Sequence, residues 1–306
     1  MNKERYRQAE QRLWASVGLE PADRKVSLHR LDTTVRVLEV GEGPDVLFVH
    51  GVSASGANWT PLVARLDGFR CLLLDRPGCG LSDPLDADLS NLGRFGEVAA
   101  ALVVDVLDGL DVQTAHVVAT SLGGHVALRG AAAHPDRVER MVEFGYVPGA
   151  PLARLPISMR IAAVPGVRRL MTSIPPSRSS ITAILRQLGM GSALKDGRIS
   201  PEMVDWFHAL LRDTPTLRNE MNLPRELSQK AGKGPETLPA SLLAEVRCPV
   251  VFAWGDDDSM GGADVARSFV PLIPGAELDL WDDTGHAPWM VDPDRAAALV
   301  ADFFSR

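Results

Sequence analysis

The stretch Val118-Ala119-Thr120-Ser121-Leu122-Gly123-Gly124 decides the reading of this chain. The apolar run 115–119 delivers a serine into a bend, and small residues lead away from it. This reads as strand, sharp turn and helix, with Ser121 at the apex. A serine held there has its hydroxyl exposed and a helix N-terminus behind it, which suits attack on a carbonyl. Ala119 stands where the usual Gly-x-Ser-x-Gly form has its first glycine.

Outward from this bend, short apolar runs at 46–49, 71–74, 115–119, 138–144, 250–254 and 278–281 alternate with helical stretches such as 98–107 and 123–133. Continuous apolar strands alternating with helices predict an α/β fold, with a mostly parallel sheet covered on both faces. Segments 26–31 and 33–40 alternate more loosely and 41–43 reads as a turn after them, which predicts an antiparallel entry to the sheet. Between 147 and about 244 the strand signal gives way to helical patterns at 157–163, 181–188 and 201–212, read as a helical cap over the strand ends. Residues 230–235 are expected to form a hinge or exposed loop. The domain reading is therefore an N-terminal helical extension at 1–24, a core in two parts at 25–146 and 245–306, and the cap at 147–244. In the extension, Tyr6, Ala9, Leu13 and Val17 fall at helical spacing, which marks a packing or dimer element.

A chain of 306 residues, 45% hydrophobic, can bury a large core. Its net charge of −7 argues against nucleic acid as a partner and gives no reason for attraction to anionic membranes. Cys71, Cys79 and Cys248 lack Cys-x-x-Cys spacing, so neither a zinc site nor a disulfide framework is suggested. The charged start has no signal-peptide core, and no apolar run approaches the roughly 18 residues that span a bilayer. A cytoplasmic protein is expected, without membrane insertion.

A serine nucleophile needs a base, an orienting acid and donors for an oxyanion. His286, in the Gly285-His286 loop after the last strand, is the expected base. His50 precedes a glycine and suits loop shaping, while His116 and His125 fall within a strand and a helix. The acid is expected between serine and histidine in chain order. Asp256, Asp257 and Asp258 qualify, and spacing alone does not choose among them. The N–H groups of Leu122 and Val52 are the candidate oxyanion donors.

Together these residues resemble the α/β-hydrolase superfamily. His50-Gly51-Val52-Ser53 is similar to its oxyanion loop, and Asp75-Arg76-Pro77-Gly78-Cys79-Gly80-Leu81-Ser82 to its Asp-x-x-Gly-x-Gly-x-Ser turn. The Ser121 bend resembles the nucleophile elbow, Gly255-x-x-Asp258 the acid loop and Gly285-His286 the histidine loop, in the family's order from about residue 26 onward. The resemblance implies an α/β-hydrolase fold with an inserted cap, and its Gly-x-x-Asp spacing selects Asp258, with Asp257 next. It implies a catalytic set of Ser121, Asp258 and His286, with no cofactor and no metal. Serine at the elbow excludes haloalkane dehalogenases and epoxide hydrolases, which carry aspartate there.

The leading expectation is a serine carboxylesterase acting on a small hydrophobic ester. Met159, Ile161, Leu170, Met171, Leu185, Leu188 and Met190 in the cap, with Ser53 and Trp289, are the candidate pocket residues, shared with ordinary packing. A second expectation is a carbon–carbon bond hydrolase of dienoic ring-cleavage products, which resembles this layout. Those enzymes usually carry asparagine before the serine and tryptophan after the histidine, where this chain has Thr120 and Ala287. A lactonase or a cofactor-free perhydrolase also fits the layout. A ligand-binding receptor is disfavoured by the intact triad.

Overall fold

The computed structural model describes residues 1–151, 176–228 and 236–306. Eight strands are β1 (Ala22–Leu28), β2 (Thr33–Val40), β3 (Asp45–Val49), β4 (Arg70–Asp75), β5 (Ala115–Thr120), β6 (Val138–Phe144), β7 (Val250–Gly255) and β8 (Glu277–Trp281). They form one sheet in the order β1-β2-β4-β3-β5-β6-β7-β8. β2 pairs antiparallel with β1 and β4, and every pair from β4 onward is parallel. The chain leaves β3 for β4 on one side and then returns to place β5 on the other. Strand order therefore reverses at β3 and β5, and the crevice at such a reversal is where open α/β sheets bind ligands.

The side-chain period of two divides the strands between two cores. Leu47, Val49, Val117 and Ala119 pack with Phe95, Leu102, Val106 and Val126 of α3 (Leu92–Gly109) and α4 (Leu122–Ala133). Val46, Phe48 and Val118 face the opposite layer, with Phe303 and Phe304 near the chain end, Tyr6 and Leu13 of α1 (Lys3–Ser16) and Leu62 of α2 (Thr60–Val63). Near-continuous apolar strands follow from burial on both faces.

β1 starts at Ala22, earlier than the expected 26–31 segment. It pairs along its whole length with β2, from Ala22 opposite Glu39 to Leu28 opposite Thr33, and Asp32 turns the chain with φ 48°. Charged Asp23, Arg24 and Lys25 occupy its outer end, so the edge strand carries little apolar signal. α1 buries Tyr6, Ala9 and Leu13 as its spacing predicts, but adds Glu10 and Trp14. Val17 is the C-cap of this helix and, partly buried, continues its apolar stripe against the same core.

Between β6 and β7 the described elements are helical: α5 (Arg178–Gln187), α6 (Gly191–Lys195), α7 (Pro201–Asp213), α8 (Thr216–Glu220) and α9 (Ala240–Leu243). Ser200 caps α7 through the Met203 N–H at 3.1 Å, and Pro201 fills its first turn, where a missing N–H costs nothing. α7 packs against α1, with Arg5 3.3 Å from Asp213. The N-terminal helix is thus a packing element within this chain, tying the cap-region helices to the core. The pattern expected at 157–163, Met159, Ile161, Leu170, Met171 and the loop at 230–235 lie outside the described residues. Among the described residues, no helix is long and apolar enough to cross a membrane.

Candidate active site

Ser121 sits between β5 and α4 with φ 53° and ψ −121°, a strained conformation for a side chain with a Cβ. Such strain costs of order 1–3 kcal/mol and persists where surrounding packing over-determines it. Here the packing is close on both sides. A Cβ added at Gly123 would overlap the Val49 carbonyl, and one at Gly51 would lie 3.0 Å from the Ser121 Cβ. Ala119, where glycine is usual, is fully buried in β5 and its methyl is absorbed by the core. Leu122 is the first residue of α4, so its N–H has no partner within the helix.

The acid and base come from the ends of β7 and β8. His286 Nδ1 donates to Asp258 Oδ2 at 2.8 Å, both residues being buried. Asp258 also accepts the Tyr146 N–H at 2.9 Å through Oδ2 and the Met260 N–H at 3.0 Å through Oδ1. Three donors hold one carboxylate, so the imidazole meets a fixed acceptor. Its Nδ1 is the protonated nitrogen and Nε2 is left as the acceptor. Of the other two aspartates, Asp257 is exposed and the Asp256 carboxylate accepts, among the described residues, only the Thr284 N–H, at 3.4 Å.

The base loop is also held from the cap region: the His286 N–H donates to the Leu188 carbonyl at 2.9 Å. Nothing in the sequence pattern points to this contact, because carbonyl partners carry no side-chain signature. The same holds for the Tyr146 N–H, which lies in the β6 loop where no carboxylate occurs.

The loop after β3 is shaped by His50 and Arg76. The Arg76 N–H donates to His50 Nε2 at 3.0 Å, and His50 Nδ1 donates to the Gly51 carbonyl at 2.8 Å. Burial and the nearby Arg76 charge hold the His50 pKa well below its ordinary value, so it is a neutral structural imidazole. Arg76 Nε and Nη2 donate to the carbonyls of His50 and Gly51, each at 3.0 Å. Val52 follows with 38% of its surface exposed, and Ser53 takes a positive φ of 59°.

Glu143, on β6 beside Ala119, is completely buried. Among the described residues, neither carboxyl oxygen closes a hydrogen bond of normal geometry. Burial drives its pKa well above the ordinary carboxylate value, against a small opposing pull from the Ser121 N–H. A buried carboxyl group, shifted toward its neutral form, therefore lies behind the nucleophile turn, signalled in sequence only as a charge in an apolar strand.

Trp289 is buried, its ring 4.7 Å from Trp59 and 5.8 Å from Phe144, so its surface is spent on aromatic packing. Ser53 is partly exposed beside Val52, while Leu185 and Met190 are buried in the cap-region helices. His116 and His125 lie away in β5 and α4, and His125 accepts from Arg129 while its Nδ1 bonds the Pro148 carbonyl. All three cysteines are free and buried. Among the described residues, no group of three His, Cys, Asp or Glu side chains is placed to hold a metal ion.

A 2-hydroxy-6-oxononadienedioate/2-hydroxy-6-oxononatrienedioate hydrolase from Cupriavidus pinatubonensis is 28% identical to this chain over 292 residues, covering 89% of each. Naproxen esterase from Bacillus subtilis superposes with a TM-score of 0.76 at 18% identity, covering 98% of this chain and 97% of its own. A 2-hydroxy-6-oxo-6-phenylhexa-2,4-dienoate hydrolase from Rhodococcus sp. strain RHA1 gives a TM-score of 0.72 at 19% identity, covering 94% of this chain and 99% of its own. An esterase and a dienoate hydrolase thus share this fold, and the fold does not separate them. The sequence model of the Alpha/beta hydrolase family matches residues 46–301, the greater part of the chain and all of the site just described, and the protein belongs to that family.

Proposed function

We propose that this protein hydrolyses the carbon–carbon bond beside a ketone in a 2-hydroxy-6-oxo dienoate. Ser121 is the nucleophile, His286 the base and then the acid, and Asp258 the group that orients it. The observation that carries the substrate class is the likeness to hydrolases named for it, which extends over 89% of both chains.

On this reading the residues act in turn. Ser121 Oγ attacks the ketone carbon as His286 Nε2 takes its proton, and the oxyanion falls to the N–H groups of Val52 and Leu122. Once the 2-hydroxyl has ketonised, the departing carbon is conjugated through a double bond to the new ketone. The carbon–carbon bond then breaks with its electron pair delocalised as a dienolate, and His286 returns the proton to that fragment. Water deprotonated by His286 attacks the acyl group on Ser121, releasing a carboxylic acid and restoring the serine hydroxyl.

Ester or lactone hydrolysis is the second reading, and Thr120 and Ala287 favour it. The Thr120 hydroxyl donates to the Phe144 carbonyl at 2.8 Å, so it is committed to joining β5 and β6. Ala287 offers a methyl, buried, where the resemblance to dienoate hydrolases calls for an indole. One experiment separates the two: loss of dienoate absorbance and release of p-nitrophenol from short esters, followed with the same preparation. The first reading expects the higher kcat/KM on the dienoate and loss of both activities in Ser121→Ala. Efficient ester turnover with untouched dienoates would reverse the order.

A further inference from the structure

Arg76 reaches in two directions. Toward the core, it donates to the His50 and Gly51 carbonyls, each at 3.0 Å. Toward the cap region, its Nη2 donates at 2.8 Å to Oε1 of Glu220 on α8. The two side chains are only 7% and 2% exposed. The same carboxylate oxygen accepts the Cys79 thiol at 2.9 Å, and Glu220 Oε2 has no partner among the described residues. Two more α8 residues grip the loop that carries Arg76: Thr216 Oγ1 accepts the Gly80 N–H at 2.9 Å, and Asn219 Nδ2 donates to the Pro77 carbonyl at 3.1 Å.

The Gly51 carbonyl and the Val52 N–H belong to one peptide unit. That unit is planar and trans, so its carbonyl and its N–H point in opposite directions. Fixing the carbonyl toward Arg76 fixes the N–H away from it. Without Glu220 the guanidinium would be a buried cation facing carbonyls alone, and such a charge moves to find a counter-ion. The Gly51–Val52 peptide would then keep only the His50 Nδ1 bond and lose the second of the two that set its orientation.

We propose that Glu220 is a positioning residue that, through Arg76, aims the Val52 N–H at the developing oxyanion, so that this donor is set only when α8 is seated on the loop. The inference rests on the reading of Ser121 and Val52 given above. It makes α8, between β6 and β7, part of the transition-state machinery.

The test is the second-order rate of Ser121 labelling by a fluorophosphonate, with kcat and KM on whichever substrate the panel above identifies. Glu220→Ala, counted per folded site, should slow labelling and lower kcat by about tenfold, part of the 10²–10³ that a whole oxyanion donor is worth. KM should stay within about threefold, because the interaction is made in the transition state. Glu220→Gln keeps an acceptor at Oε1 and should recover most of the loss. Should Glu220→Ala fail to fold, Arg76→Lys takes its place. An ammonium cannot serve two carbonyls and Glu220 in a fixed plane, and the same tenfold loss is expected. Labelling at the wild-type rate in these variants would overturn the proposal, as would a loss confined to KM or a glutamine variant no better than alanine. A wild-type protein unlabelled at Ser121 would overturn the site itself, and this inference with it.

Discussion

The carboxyl group of Glu143 fills the space that a side chain at Gly124 would occupy, on the first turn of the helix behind Ser121. A Cβ at that glycine would overlap the carboxyl carbon and both oxygens. Gly124→Ala is therefore expected to destabilise the fold by about 1–3 kcal/mol, the usual scale of overpacking in a filled core. Glu143→Ala opens the same space and should relieve that strain. The two changes together should cost less than their sum by about 0.5–3 kcal/mol, a coupling measurable by denaturant unfolding of the two single variants and the double variant. Simple additivity would mean that the helix, and not the glutamate, limits this position.

The same glutamate should leave its mark on the pH dependence of stability. Its folded-state pKa lies well above the ordinary 4.5 because burial disfavours the anion. Between that value and the folded pKa, the native state holds a proton that the unfolded chain has released. Stability is thus fullest below about pH 4.5 and falls as pH rises toward the folded pKa. Glu143→Gln removes the titration. The unfolding free energy of wild type minus that of the variant should decline with rising pH above about 4.5, by up to about 1.4 kcal/mol per unit. A difference independent of pH would show that the carboxyl is ionised in the folded protein.

The Asp258 carboxylate is held by the Tyr146 and Met260 N–H groups as well as by His286, whereas Asp256 meets one backbone N–H at 3.4 Å. Asp258→Asn should lower kcat on the order of 10³–10⁴-fold, because the amide can present its NH₂ to the imidazole and favour the wrong tautomer. Asp256→Asn should change it by less than about tenfold. Fluorophosphonate labelling reads the same contrast without a natural substrate, and equal losses would move the acid elsewhere in the loop.

How much of this was legible in the sequence depended on where the chemistry resides. Ser121 and the aspartate cluster follow strands buried along their whole length, and His286 follows β8, whose run Asp279 interrupts; side-chain identity carries their message. Asp258 needed a family spacing to be chosen, because a carboxylate is selected by the N–H groups of Tyr146 and Met260, which any sequence supplies. The outer end of β1 was missed because an edge strand carrying Asp23, Arg24 and Lys25 lacks the apolar alternation that marks a half-buried strand. Glu220 gave no signal at all: it sits 144 residues from Arg76, on a helix of five residues too short for a pattern. The substrate class lies deeper still, since the residues that recognise a dienoate or an ester are set by the shape of a pocket and not by the triad.

One buried charge cluster at the N-terminal helix offers a final test of how the cap-region helices are anchored. Arg36 on β2 donates to both oxygens of Glu10 on α1, at 3.0 and 2.7 Å, and to Asp23 at 2.9 Å. Tyr6 donates to Glu10 at 2.7 Å and bonds Ser55 at 2.9 Å, and Arg36 also lies 3.6 Å from the buried Asp75. Burial raises the Asp75 pKa to about 6, with Arg36 pulling against it and Glu10 adding to it. Glu10→Ala strips the guanidinium of its bidentate partner while leaving it buried, which should cost about 3–5 kcal/mol. Glu10→Gln, which keeps the hydrogen bonds but not the charge, should cost less. Because α1 packs on α7, the loss should also loosen the cap-region helices, seen as faster amide exchange in α7 than in β5. Slow exchange in α7 despite the full stability loss would mean that these helices hold to the core without the N-terminal helix.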